Sequence, residues 1–171
     1  MNLEQIHRMI KTVSDFPKKG IQFKDITPVL ENGEAFRSLA KLLAEKVNPA
    51  STKLISIESR GFILGAAVAQ QLGCGMVLVR KPGKLPRETV KESYALEYGT
   101  DSLEVHKDAL KPGDKVTIID DVLATGGTAG AVEKLCAHLG AEVLGSVFLM
   151  EIEFLNGRSK LTRPNVSLMK V

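Results

Sequence analysis

The stretch Val116, Thr117, Ile118, Ile119, Asp120, Asp121, Val122, Leu123, Ala124, Thr125, Gly126, Gly127, Thr128 constrains the fold of this chain more than any other. Val116, Ile118 and Ile119 form a run too apolar for a surface strand, and such a run reads as a strand buried on both faces of a parallel sheet. Two carboxylates end it, and a tight run of small and hydroxyl residues follows. Beyond that, Val132, Leu135, Cys136 and Leu139 fall at helical spacing over 129–139. The unit is therefore strand, acidic pair, small-residue loop, helix.

A loop that feeds a helix N-terminus offers backbone N–H groups without intrahelical partners, together with the positive end of the helix dipole. That combination is a phosphate site. Gly126 and Gly127 let the backbone approach an anion closely, while Thr125 and Thr128 add hydroxyl donors. No Lys follows the second glycine, so this is not a Walker A loop, and the glycine spacing is not that of a dinucleotide fingerprint. The distinguishing feature is the pair Asp120 and Asp121. Two carboxylates ahead of a phosphate loop can accept hydrogen bonds from two adjacent hydroxyls, such as those of a ribose. A helix cap needs one aspartate, not a pair five residues from the glycines.

At 171 residues the chain is long enough for one sheet with helices on both faces. Its net charge of +3 suits an anionic small substrate, and there is no basic stripe of the kind a nucleic-acid binder carries. Cys74 and Cys136 sit in separate apolar segments and read as buried hydrophobes of a reduced protein. His7, His106 and His138 lack metal-ligand spacing. No apolar run reaches membrane-spanning length and the first residues lack a signal peptide's charge and apolar core, so the expected location is cytoplasmic, with no membrane partner.

Taken in order, Asn2 reads as an N-cap, with Ile6, Met9, Ile10 and Val13 as the stripe of a first helix ended by Pro17 and Gly20. Residues 20–28 are short, mixed and bracketed by turn residues: a cover over a site, or a plain surface connection. A strong helical period spans 32–47, and 53–57 reads as the first core strand with its helix over 61–72. Between them lie Glu58, Ser59, Arg60 and Gly61, a second strand-to-helix turn at the sheet edge where open α/β folds bind ligands. Arg60 either joins an anion site there or pairs with Glu58.

The strand 76–79 runs into residues 80–87, which hold four cations (Arg80, Lys81, Lys84, Arg87) and two prolines. A charge run is usually a solvated loop, but this one ends a core strand and so falls on the ligand edge. Residues 88–106 alternate imperfectly around Gly99, Thr100 and Asp101 and read as an exposed antiparallel hairpin outside the parallel core, a form often taken by lids. Further strands are expected over 142–150 and 166–169, with a short helix over 155–161.

These motifs in this order resemble the type I phosphoribosyltransferase family over nearly the whole chain, and its adenine-using branch most closely. The central stretch is similar to the family's phosphoribosyl pyrophosphate motif. Asp15, Phe16, Pro17 and Gly20 with residues 23–30 resemble its N-terminal hood, and Glu58, Ser59, Arg60, Gly61 and Phe62 its pyrophosphate loop. Residues 80–86 resemble its basic loop, and residues 93–99 its flexible catalytic loop. Two positions depart from the common pattern. Gln22 stands where many members have an apolar residue, and Glu58 where an Asp is also found.

The resemblance implies an α/β fold, a parallel sheet flanked by helices, in one domain over 1–171, with the hood over 1–32 and a flexible antiparallel hairpin lid over 88–106. It implies transfer of the 5-phosphoribosyl group from phosphoribosyl pyrophosphate to adenine, giving AMP and pyrophosphate, a purine-salvage reaction. Mg²⁺ would be carried by the substrate pyrophosphate, with no protein ligand assigned, and the chain would form a homodimer. Carried over by position, Asp120 and Asp121 hold the ribose, and Ala124, Thr125, Gly126, Gly127 and Thr128 the 5-phosphate. Glu58, Ser59, Arg60, Arg80, Lys81 and Lys84 form the pyrophosphate site, and Ile21, Gln22, Phe23 and Lys24 take adenine. Glu97 is the general base on the lid beside Tyr98, and Arg60 shares the catalytic work. The resemblance also implies a cis peptide between Glu58 and Ser59.

Read without the resemblance, Glu97 is a solvated hairpin carboxylate. Two other readings differ in kind. A phosphoribosyltransferase for hypoxanthine or xanthine would share the central motif, and only the hood and lid favour adenine. A non-catalytic domain that senses phosphoribosyl pyrophosphate would need a DNA-binding partner domain, for which the stretch before the first core strand is short.

Overall fold

The computed structural model describes residues 1–95 and 99–171, so Glu97 and Tyr98 lie outside the described residues. The chain divides into two compact units, residues 1–42 and 43–171.

The first unit opens with helix α1 (Leu3–Met9). Asn2 Oδ1 accepts from the Gln5 N–H and Gln5 Oε1 from the Asn2 N–H, both at 2.9 Å, a capping box that satisfies two donors at once. The expected stripe through Val13 does not form. Ile10 turns the backbone extended, and Lys11–Ser14 is strand β1, paired antiparallel with β2 (Gln22–Asp25) so that Val13 faces Phe23. β-branched Thr12 and Val13 and a partner's ladder of hydrogen bonds outweigh helical spacing there.

The turn between these strands places Asp15 at φ 60° and Gly20 at φ 91°, with Asp15 Oδ1 accepting from the Gly20 N–H at 2.7 Å. Phe16 meets Phe23 edge-on at 5.0 Å. Helix α2 (Thr27–Glu31), which the spacing did not predict, starts where Asp25 accepts from both the N–H and the hydroxyl of Thr27. Helix α3 (Gly33–Ala44) follows Asn32, whose Oδ1 accepts from the Ala35 N–H at 3.0 Å.

The second unit is built on β3 (Lys53–Ile57), α4 (Arg60–Leu72), β4 (Gly75–Val79), β5 (Thr89–Ala95), β6 (Thr100–His106), β7 (Lys115–Leu123), α5 (Gly127–His138), β8 (Glu142–Glu151) and β9 (Asn165–Lys170). Two 3₁₀ turns, Glu153–Leu155 and Gly157–Lys160, replace the expected short helix. Five strands make one parallel sheet in the order β4-β3-β7-β8-β9.

Alternation along the strands explains why both faces are covered. Ile55, Ile57, Val116 and Ile118 pack with Ala131, Val132, Leu135 and Cys136 of α5. Ser56 points the other way, to α4, where Gly65 is so close that a Cβ would lie 1.8 Å from Ser56 Oγ. Burial pushes the Cys136 thiol up to about 12, and both cysteines are free, but Cys74, expected in the core, is only half-buried because it follows the end of α4 at Gly73.

Two expectations change in this unit. The acidic pair does not end the strand: β7 continues beside β8 through Asp120, Val122 and Leu123. Its pairing with β3 does stop, at Ile119, so the carboxylates stand where the β3 side of the ladder opens. The hairpin β5–β6 is antiparallel and outside the parallel sheet, but it is not exposed on both faces. Leu103 and Val105 are buried in the α5 core cluster, with Val90 and Tyr94 partly covered beside them. Alternation had placed these apolar residues on one side of the ribbon, and α5 supplies the surface they bury against. Arg80 and Glu104 exchange backbone hydrogen bonds of 2.9 and 2.7 Å, which fasten the end of β4 to β6.

Candidate active site

Strand order reverses between β3 and β7. From β3 the chain moves outward to β4, then returns to the far side of β3 and moves outward again through β8 and β9. A crevice at the carboxyl end of such a switch point is where open α/β sheets take ligands. Helices α4 and α5 both start at that edge, and neither N-terminus is capped by a side chain. Two sets of helix N–H groups with their dipole ends therefore open side by side.

The start of α4 meets β7 directly. Arg60, the first residue of α4, places Nε 2.6 Å from Asp121 Oδ2. Gly61 lies so near β7 that a Cβ would sit 2.6 Å from Asp120 Oδ1. Arg60 thus pairs with Asp121, not with Glu58. Asp120 Oδ1 accepts from the Asp121 N–H at 2.9 Å, and Asp121 is only 7% exposed. Burial first, and the Asp121 carboxylate second, push the Asp120 carboxyl well above the usual aspartate range.

The loop after β7 is held open by contact with the segment after β8. Gly126 has φ 77°, and a Cβ on it would lie 2.2 Å from the Gly157 carbonyl oxygen. A Cβ on Gly157 would lie 2.2 Å from the Ala124 carbonyl oxygen. Arg158 anchors that segment, with Nε 2.7 Å from both oxygens of Glu151, which is 3% exposed. The hollow above the loop encloses about 70 Å³ and is lined by Asp120, Thr125, Gly126, Thr128 and Phe148 among others. A wider hollow of about 410 Å³, lined by Tyr94, Lys134, Lys160 and Arg163 beside α5, includes neither carboxylate of the pair nor Arg60.

On the other side of the crevice Glu58 gathers two cations. Arg80 Nε donates to Oε2 at 2.8 Å and Lys84 Nζ to Oε1 at 2.7 Å. Burial would raise the Glu58 carboxyl, but the bonds from Lys84, Arg80 and the Lys81 backbone outweigh it and hold the group below the usual glutamate range. Arg80 also lies 5.8 Å from the Phe62 ring centre, a cation–π distance. The peptide between Glu58 and Ser59 is cis. Lys81 takes a different partner, Asp101 Oδ2, at 2.6 Å.

The structure therefore brings Asp120, Asp121, residues 124–128, Arg60, Glu58, Arg80 and Lys84 to one edge. Ile21, Gln22, Phe23 and Lys24 belong to the first unit, on and next to β2. Sequence reasoning named Tyr94 only as part of the loop motif over 93–99, and it missed Asp101 as a partner, Gly157 and the Glu151–Arg158 clamp. Only the polar residues of the hairpin and the Asn156, Gly157 pair carried any signal, and that signal says turn, not partner. Among the described residues no three His, Cys, Asp or Glu side chains gather as a metal cage, and no helix is long and apolar enough to cross a membrane.

Comparison with known proteins adds the following. A family model described as "Phosphoribosyl transferase domain" matches residues 25–165. An adenine phosphoribosyltransferase of Syntrophotalea carbinolica is 50% identical over 170 residues, covering 98% of this chain and 99% of the relative. The crystal structure of adenine phosphoribosyltransferase from Thermoanaerobacter pseudethanolicus has a TM-score of 0.96 at 52% identity, covering 99% of this chain and 100% of the other. The Saccharomyces cerevisiae enzyme, solved with an imino-altritol bisphosphate and adenine, gives 0.89 at 40% identity, with 97% of each chain covered.

Proposed function

Because this chain belongs to the adenine phosphoribosyltransferases, within the phosphoribosyltransferase family, we propose that the edge shared by β3 and β7 is its active site and assign the residues as follows. The chain transfers the 5-phosphoribosyl group of phosphoribosyl pyrophosphate to adenine, releasing pyrophosphate and forming AMP. The observation that carries the site assignment is the meeting of the start of α4 with the acidic pair of β7 through Arg60 and Asp121 at 2.6 Å. A sugar with an anion at each end needs that arrangement: carboxylates in the middle and uncapped helix N-termini on both sides.

Asp120 and Asp121 bind the two ribose hydroxyls, and residues 124–128 with the start of α5 bind the 5-phosphate. That remote contact orients the anomeric carbon. The start of α4, with Arg60, Arg80, Lys81 and Lys84, binds pyrophosphate. The bond from the anomeric carbon to pyrophosphate breaks as a ring nitrogen of adenine bonds to that carbon, and the cations stabilise the charge that grows on the leaving group. Glu58 holds Arg80 and Lys84 in place for this. Glu97 receives the proton that adenine loses.

The donor set fits Mg²⁺ brought in by the substrate. That ion keeps several waters and is held through one or two carboxylates plus substrate phosphates, so it needs no closed protein cage, and Asp120 and Asp121 beside Arg60 would be the carboxylates nearest the sugar. Bound there, it would neutralise charge on the leaving pyrophosphate. We read the active form as a two-fold homodimer, the commonest closed assembly, and light scattering at assay concentration should give the mass of two chains. A mass of one chain counts against that reading. The reduced cysteines are in keeping with a cytoplasmic location, which cell fractionation checks.

Base choice is assigned to Ile21, Gln22, Phe23 and Lys24, whose backbone donors and acceptors would meet the amino edge of adenine. A 6-oxo purine reverses that pattern and strands buried polar groups at about 1–3 kcal/mol each. Incubation with phosphoribosyl pyrophosphate, Mg²⁺ and a panel of bases should release pyrophosphate rapidly with adenine and at least about tenfold more slowly with hypoxanthine or xanthine. Equal turnover of adenine and hypoxanthine would remove the assignment.

A further inference from the structure

The cations of the basic loop are held by carboxylates of the chain itself, and the two carboxylates differ. Glu58, in the turn before α4 with its side chain 8% exposed, takes Arg80 and Lys84 together. Asp101 stands on β6, away from that turn, and takes Lys81 alone at 2.6 Å, with the lysine side chain 52% exposed. Asp101 is itself fixed from other directions. Its Oδ1 accepts from the Ser102 N–H at 2.8 Å, and its Oδ2 accepts from the Tyr94 hydroxyl at 3.4 Å. Tyr94 in turn accepts from the Thr128 hydroxyl at 3.3 Å, so the chain of contacts ends on the loop assigned to the 5-phosphate.

From this geometry we infer that Asp101 is an internal counter-anion for Lys81, competing with pyrophosphate for that ammonium and so weakening pyrophosphate binding. The inference rests on the reading of Lys81 as a pyrophosphate ligand. An ammonium has three donors, but a carboxylate and a pyrophosphate on the same ammonium bring like charges within a few ångströms, so one gives way to the other. Because Tyr94 and Ser102 hold Asp101 in position, it is the lysine that moves between partners. The device favours departure of the product: pyrophosphate leaves a cation that has a replacement partner waiting.

The role makes a prediction opposite to the usual loss on mutation. Calorimetry with inorganic pyrophosphate and Mg²⁺, with Mg²⁺ alone as control, should find Asp101→Asn binding about threefold to fivefold tighter than the parent chain. Asp101→Glu, which keeps the charge, should bind within about twofold of the parent, a shift worth less than about half a kcal/mol. The gain should shrink as salt rises from about 50 to about 500 mM, because the Lys81 pair is half exposed. In a Lys81→Met background the same Asp101→Asn change should gain less than about twofold. An Asp101→Asn chain that binds pyrophosphate no tighter than the parent overturns the inference, as does an equal gain in both backgrounds.

A second measurement uses the unaltered chain. The Lys81 ammonium, more than any other group, holds the Asp101 carboxyl below the ordinary aspartate range. A carbon-13 titration of that carboxyl should move upward on saturation with magnesium pyrophosphate, and an unmoved titration overturns the inference even if the variants do not fold. The underlying reading fails separately: Lys81→Met would then leave pyrophosphate affinity unchanged. Where Lys81→Met weakens binding and Asp101→Asn does not tighten it, the ligand reading stands and the counter-anion role falls.

Discussion

Glu97→Gln is expected to form AMP about 10²–10⁴ times more slowly than the parent chain while binding phosphoribosyl pyrophosphate as tightly, the usual worth of a positioned general base. The separation follows from where the contacts lie. Ribose and phosphate are assigned to Asp120, Asp121 and residues 124–128, at the end of β7 and the start of α5, and Glu97 belongs to the connection between β5 and β6. Asp121→Asn should behave differently. Its carboxylate faces Arg60 at 2.6 Å and is nearly buried, so the change removes a ribose acceptor and one charge that faces Arg60. Binding and turnover should then fall together. Single-turnover AMP formation beside calorimetric binding distinguishes the two patterns. AMP formation by Glu97→Gln at the parent rate would return that residue to the status of a solvated hairpin carboxylate.

Gly126→Ala should cost about 2–5 kcal/mol, the sum of about 1–2 kcal/mol for a side chain in left-handed backbone and about 1–3 kcal/mol for overpacking. The cost is hard to relieve because the added carbon meets backbone, 2.2 Å from the Gly157 carbonyl oxygen, and not the movable end of a side chain. The segment carrying Gly157 is in turn held by Arg158 on the buried Glu151. The chain can absorb the insult by losing stability or by displacing the loop, so either the melting temperature falls or phosphoribosyl pyrophosphate affinity drops. A variant that keeps both would show that the loop is not braced by Gly157.

How much of this was legible beforehand depends on the range of the interaction involved. The core strands over 53–57, 76–79 and 116–119 announced themselves because burial on both faces demands an unbroken apolar run. The acidic pair and its small-residue loop were readable because a phosphate site is made by one local turn, whose glycines and hydroxyls stand next to one another in the chain. Asn2 as a cap was readable for the same reason. Where spacing misled, a partner distant in sequence had overridden it: Val13 fits a helical stripe, but β2 pairs with it as strand. The carboxylates expected to end β7 end only its pairing with β3.

The amino-acid sequence alone thus determined the α/β class, the phosphate loop, the acidic pair and the family to which these motifs belong, because each motif is written within one short segment and the segments follow one another in the family's order. Which charges pair was decided only by the tertiary structure. Glu58 could have taken Arg60, two residues away, yet it holds Arg80 and Lys84, while Arg60 crosses to Asp121. Asp101 reaches Lys81 across the hairpin, and Gly157 braces Gly126 from beyond β8. Ion pairs and close backbone contacts form between whatever groups the folded sheet brings within a few ångströms, and the parallel order β4-β3-β7-β8-β9 sets those neighbours from segments far apart in the chain.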